Sequence, residues 1–358
     1  MEVRSWGGDA SDEITRHGNR SGRPEHKVKA QFLPVVEFAF GGTGRNSHHG
    51  APYNPWDAAA HRSVGGSSSG AGVSLLEGSA LLAFGSDTAG SVRIPASMTG
   101  NAGLKVTIGR WSTGGVVPLS FTFDTPGLLA RSVCDLAYGF AALDAAGIDP
   151  PALIAQAGTR DLAGIRIGVG DPFLWHDCDP GIAETVQDAV DTLVRAGAIA
   201  RDFALPEAEA AYGVFLKGGL SAIELCSFLD RELPEWLDQL DPVIAPAVRN
   251  AESLSAREYL ARVARLGDLT QAASPHLDTV DVIASPTLCL TPPLMPTATF
   301  GSIAASSAIP RGSTISASAQ SRCPSDVTGP ACRSGCSSLR QPAPRRSCSR
   351  SRWRPREC

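Results

Sequence analysis

The chain has 358 residues, of which 43% are hydrophobic and 19% charged, with a formal net charge of −4. That is enough apolar sequence to bury a sizeable core, in one large domain or two small ones. A balance so near neutral disfavours a nucleic-acid or membrane partner. No apolar run approaches the length that crosses a bilayer, and the polar N-terminus lacks a secretory leader pattern, so a cytoplasmic setting is expected.

Residues 1–31 are polar and patternless, and are expected to be disordered. Residues 32–300 read as α/β. Two Gly/Ser clusters, Gly65-Gly66-Ser67-Ser68-Ser69-Gly70 and Gly85-Ser86-Asp87-Thr88-Ala89-Gly90-Ser91, flank a short apolar segment. Ser79–Phe84 leads into the second cluster as a buried strand would, and Ile165–Val169 is a further strand. Asp179-Pro180 supplies a cap and a first-position proline for a helix. Ile182, Val186, Val190 and Leu193 give it an apolar face, and Gly197 ends it. Residues 206–275 are mainly helical, and Val280–Ala284 is a strand closed by Ser285-Pro286-Thr287. From Arg311 onward there are ten Arg, eleven Ser and five of the nine Cys, against two acidic residues. Too little apolar surface remains in residues 301–358 to offset ordering entropy, so this basic tail is expected to be disordered. Its Cys332 and Cys336 lack the second pair or spaced His of a zinc site.

The two clusters carry the chemistry. Glycine lets backbone approach closely or turn sharply, and consecutive amides in such a turn can converge on one spot and stabilise an oxyanion. A serine ending the turn is placed as a nucleophile, which points to acyl transfer. Residues Gly66–Gly70 also satisfy the nucleophile-elbow pattern, with Ser68 as nucleophile, but His61-Arg62-Ser63-Val64 is not the hydrophobic strand that pattern needs. A His61–Asp57 base pair has nothing specific behind it, and His48-His49 reads as solvated loop rather than a metal site. Asp87 and Arg93 are expected to pair and brace the turn, and Cys134 and Cys226 to lie in the core. The ordered mix of Asp87–Pro95 argues against a flexible linker.

Together with Met98–Lys105, Asp124-Thr125-Pro126-Gly127, Leu129–Val133, Glu37-Phe38-Ala39 and Asn54-Pro55-Trp56, this stretch resembles the amidase signature family over residues 35–295. That family comprises serine amidases and the A subunits of tRNA-dependent amidotransferases. The resemblance implies a mixed β-sheet core surrounded by helices, here with pieces missing at both ends. It implies a Ser–cis-Ser–Lys triad, with Ser91 as acyl-ester nucleophile and Ser67, behind a cis peptide, as proton relay. The amides of Thr88, Ala89, Gly90 and Ser91 would form the oxyanion hole, supported by Gly65, Gly66, Ser68, Asp87 and Arg93.

A serine hydroxyl needs a base, and lysine serves as one only where its surroundings lower its pKa. Five residues before Glu37, where the resemblance calls for that lysine, stands Phe32. The only lysines are Lys27, Lys29, Lys105 and Lys217. Lys105 matches a lysine of the fold, and Lys29 lies three residues from the required place. The implied activity is therefore hydrolysis of a small-molecule amide, impaired, with no metal or organic cofactor. The alternatives are an amidotransferase A-like subunit with partner subunits, and a non-catalytic pseudoenzyme or binding protein with a basic tail. Motifs intact in the middle and lost at both edges suggest a frameshifted or degenerate coding sequence. The substrate is not legible, because the helical segment 206–275 carries no motif.

Overall fold

Glycine and proline set where the elements stop, and the apolar pattern sets how they stack. The computed structural model describes residues 35–217 and 219–295, and outside them the backbone of three short strands. Two of these, β1 (Glu13–Ile14) and β2 (Val28–Lys29), pair antiparallel within the stretch expected to be patternless. The described residues all fall in one compact unit, Met1–Ala319, whose boundary lies beyond residue 300.

The layer nearest the two clusters runs α1 (Ser69–Glu77), β3 (Leu82–Ser86), α2 (Arg93–Met98), β4 (Ala102–Lys105), β5 (Pro126–Ala130) and α3 (Val133–Leu143). β5 is antiparallel to both β3 and β4. Successive strand residues face opposite ways, and on β5 both faces are buried. Leu129 packs with Leu75 of α1 and with Val92 and Ala96 at α2, whereas Leu128 and Ala130 pack with Leu136 of α3. Each leucine fully buried this way contributes about 1.5–3 kcal/mol over an exposed one. Helices on both faces thus hold the strand that positions the second cluster.

After α4 (Pro150–Thr159), a second sheet places β6 (Arg166–Val169) between β7 (Ile199–Asp202) and β8 (Val282–Ile283), all parallel. α5 (Ile182–Arg195) makes the β6-to-β7 crossover. The helical segment comprises α6 (Glu207–Tyr212), a π-turn at Gly213–Lys217, α7 (Leu220–Glu232), α8 (Ala245–Ala251) and α9 (Ala256–Leu277). Last, β9 (Thr314–Ala317) pairs antiparallel with β4, placing Ile315 opposite Leu104. These four residues lie within the stretch 301–358 for which disorder is expected.

Four local expectations also shift. Gly78 ends α1 in the left-handed region, at φ +80°, so the next strand starts at Leu82 rather than Ser79. α5 begins at Ile182, two residues beyond Pro180, because the Asp179 carboxylate is occupied by the Thr291 amide (2.7 Å) and hydroxyl (2.9 Å). Glu184 caps the helix instead, accepting from the Gly181 amide at 3.0 Å. Cys226 is buried as expected, but Cys134 is exposed: it lies two residues, about 200° of helix, from the buried Leu136. The stretch Glu207–Glu232 is by length and composition apolar enough to cross a membrane, contrary to the expectation. Its Leu225 and Leu229 pack with Leu240, Ile244 and Val248.

Candidate active site

The two Gly/Ser clusters meet through the backbone. The Ser68 amide donates to the Ser91 carbonyl at 3.1 Å, and the Ser67 carbonyl accepts from Val36 (3.1 Å) and Ser69 (2.8 Å). The Gly66–Ser67 peptide bond is cis. Gly65, at φ +72°, takes a conformation that favours glycine. A Cβ at Gly66 would lie 2.8 Å from both the Gly41 carbonyl oxygen and the Gly44 nitrogen, so no side chain fits. Ser67 is 1% exposed and Ser91 9%.

The turn leading to Ser91 is built on Asp87, which is fully buried. Its Oδ1 accepts from the Gly90 amide (2.7 Å) and Arg93 Nη2 (2.9 Å). Its Oδ2 accepts from the Val92 amide (3.1 Å) and Arg93 Nε (3.0 Å). Burial opposes the charge on Asp87, but the paired Arg93 guanidinium, Lys105 and the Gly90 amide outweigh it and hold the carboxyl below its ordinary value. The expected Asp87–Arg93 brace is present. The Gly90 amide, expected among the oxyanion donors, is instead committed to Asp87. Among the described residues the amides of Thr88, Ala89 and Ser91 have no partner.

Behind the turn, Lys105 Nζ donates to Thr125 Oγ1 at 2.9 Å, while the Thr125 carbonyl accepts from the Asp87 amide at 2.8 Å. Burial lowers the Lys105 pKa, partly opposed by Asp87 and assisted by Arg93. Asp124 Oδ1 accepts from Thr88 Oγ1 at 2.5 Å, and its Oδ2 from the Leu119 (2.9 Å) and Ser120 (3.0 Å) amides. Burial pushes the Asp124 carboxyl up. A small pocket of about 40 Å³ opens in front of Ser91, lined by Ala39–Gly42, Thr88, Ala89, Ile94, Leu119, Phe215 and Ser221.

The remaining expectations scatter. His48 Nε2 lies 3.0 Å from Glu37 Oε1. His61 stacks on Tyr53, and Asp57 is taken by Arg62 Nε at 2.7 Å, so the structure forms no His61–Asp57 pair. Phe32, the side chains of Lys27, Lys29 and Lys217, and the pair Cys332 and Cys336 lie outside the described residues. One residue of the site escaped sequence reasoning. Glu224, a lone acid inside a helix, has no local signal, because its partners come from two distant segments, the loop at 120–122 and α9.

A family profile described as Amidase matches residues 33–319. The chain belongs to the amidase family. It is 52% identical to the 2-amino-5-chloromuconic acid deaminase of Comamonas testosteroni over 259 residues, covering 72% of this chain and 55% of that protein. It is 37% identical over 206 residues to the A subunit of the glutamyl-tRNA(Gln) amidotransferase of Listeria monocytogenes, covering 56% of this chain and 42% of that protein. A solved amidase superimposes with a TM-score of 0.65 at 30% identity, covering 74% of this chain and 57% of its own. This amidase-family chain thus spans about half the length of the relatives it matches.

Proposed function

We propose that the chain hydrolyses a carboxylic amide through an acyl-Ser91 intermediate. The observation carrying this reading is the hydrogen bond that joins the Ser67 and Ser91 turns beside a pocket lined by Thr88, Ala89 and Ser91, whose amides are unpaired among the described residues. Ser91 Oγ attacks the carbonyl carbon as its proton passes to Ser67 Oγ, which hands its own proton on to the departing nitrogen. The C–N bond breaks, the nitrogen leaves with a proton as ammonia or amine, and water then releases the acid from Ser91. The Thr88, Ala89 and Ser91 amides carry the oxyanion; one such donor is worth about 10²–10³ in rate. Phe32 stands where the resemblance calls for the lysine base, so low turnover goes with this reading.

A small molecule is the substrate in this reading, and 2-amino-5-chloromuconic acid, named for the 52% identical relative, is the first to try. The 37% identity to an amidotransferase A subunit supports a second reading, in which partner subunits are required. A cytoplasmic location goes with both readings. The test is labelling with a fluorophosphonate, which forms a Ser91 Oγ–P bond and releases hydrogen fluoride, alongside ammonia release from simple amides and from that acid. One adduct by intact mass, absent from Ser91→Ala, supports the reading. An adduct retained in Ser91→Ala overturns it.

A further inference from the structure

Glu224 sits on α7 with 4% of its surface exposed, yet every acceptor position of its carboxylate is used. Oε2 accepts from Ser120 Oγ at 2.6 Å and from the Thr122 amide at 3.0 Å. Oε1 accepts from Thr122 Oγ1 and from the Tyr259 hydroxyl of α9, both at 2.7 Å. The Ser120 amide donates in turn to Asp124, and Asp124 accepts the Thr88 hydroxyl. An unbroken set of hydrogen bonds therefore runs from Tyr259 through Glu224, Ser120 and Asp124 to Thr88. Leu119 and Ser221, which flank this set in sequence, are both pocket walls. Ser221 lies one turn before Glu224, on the same side of α7.

A buried carboxylate is a poor choice for stability alone, since a well-packed apolar residue of similar volume often serves as well or better. Its value is directional. Four donors from two segments can be satisfied together only in one placement of the loop 119–125 against α7 and α9. We propose that Glu224, clamped by Tyr259, is a positioning residue for acyl transfer at Ser91. It fixes the Leu119–Ser221 wall of the acyl pocket and, through Asp124, the Thr88 turn that carries the oxyanion donors. This role rests on the acyl-Ser91 reading.

The experiment compares the full chain with Glu224→Gln, Tyr259→Phe and Thr88→Val. It measures the fluorophosphonate labelling rate of Ser91 over a range of probe concentrations, the unfolding midpoint, and hydrogen exchange at the bonded amides of Gly90, Leu119 and Ser120. Glu224→Gln keeps shape and removes charge; Tyr259→Phe removes one hydroxyl; Thr88→Val breaks the far end. The expected result is a loss of about tenfold in the maximal labelling rate for each. The midpoint should move by only about 4 °C or less, and the Gly90, Leu119 and Ser120 amides should exchange faster. Unchanged labelling and exchange in Glu224→Gln and Tyr259→Phe overturns the proposal. If Glu224→Gln fails to fold, Tyr259→Phe decides on the same terms. If the unaltered chain takes no label, the acyl-Ser91 reading has failed rather than the positioning role. Exchange then decides: faster Gly90, Leu119 and Ser120 amides in Tyr259→Phe sustain the positioning role, and unchanged amides end it.

Discussion

Arg93 holds Asp87 with two side-chain hydrogen bonds, of 3.0 and 2.9 Å, in a turn where both residues are buried. The pair is the keel of the Ser91 turn, because the same carboxylate also gathers the Gly90 and Val92 amides. Removing one partner strands the other charge without water. Asp87→Ala is therefore expected to destabilise the fold by about 3–5 kcal/mol, read from urea unfolding monitored by tryptophan fluorescence. A loss within experimental error would mean the turn is held by other contacts.

Two neighbouring carboxylates should give the acid limb opposite contributions. Asp87 has its folded pKa lowered below 3.8, so its stabilisation is complete above that value and is lost as pH falls through the folded pKa. Asp124 has its folded pKa raised above 3.8, so the folded state binds that proton more tightly and stability falls as pH rises through the folded value. Urea midpoints against pH should accordingly flatten below 3.8 in Asp87→Asn and above it in Asp124→Asn. The same pH profile in both variants would contradict these assignments.

Gly66→Ala tests the close packing beside Ser67. The added methyl meets two backbone atoms at 2.8 Å, neither of which can rotate away. Either Gly41 and Gly44 or Ser67 must move. Labelling of Ser91 should fall by about 10²-fold, the scale of a misplacement near 1 Å. Alanine at Gly213, where nothing lies within 4 Å of the new atom, serves as the control.

Proton handling separates Ser67 from Phe32. Ser67→Ala should lower labelling by about 10²-fold or more, the usual range for a group that moves a proton in the transition state. Phe32→Lys should raise it by a comparable factor if a base at that position completes the site. A rate that Phe32→Lys leaves untouched would move the search for the base elsewhere.

Thiol mapping gives a check independent of catalysis. Burial, with Asp230 and Glu252 nearby, pushes the Cys226 thiol up to about 11. Burial and the adjoining Cys178 push Cys289 up to about 12. Both hold little thiolate at neutral pH, and the thiolate is the form that alkylates. With iodoacetamide, peptide mapping should find the exposed Cys134 modified well before Cys226 and Cys289.

The parts legible in the chain are those whose partners lie close in sequence. Asp87 and Arg93 stand in one tract with the amides they organise, and Gly197 stops α5 by local geometry alone, at φ +108°. What escaped depends on distant segments. Glu224 needs Ser120, Thr122 and Tyr259 to become a junction. Asp179 would cap its helix but is drawn to Thr291. Within an Arg- and Ser-rich tail, Thr314–Ala317 has one large apolar residue, Ile315, and its place opposite Leu104 depends on β4.

The walls of the small pocket come from four stretches: residues 39–42, 88–94, Leu119, and 215–221. Chemical reaction at Ser91 is thus a gauge of the assembled chain, and its urea dependence should coincide with loss of tryptophan signal from the whole unit. A reagent that modifies one hydroxyl would then report on how some two hundred residues hold together.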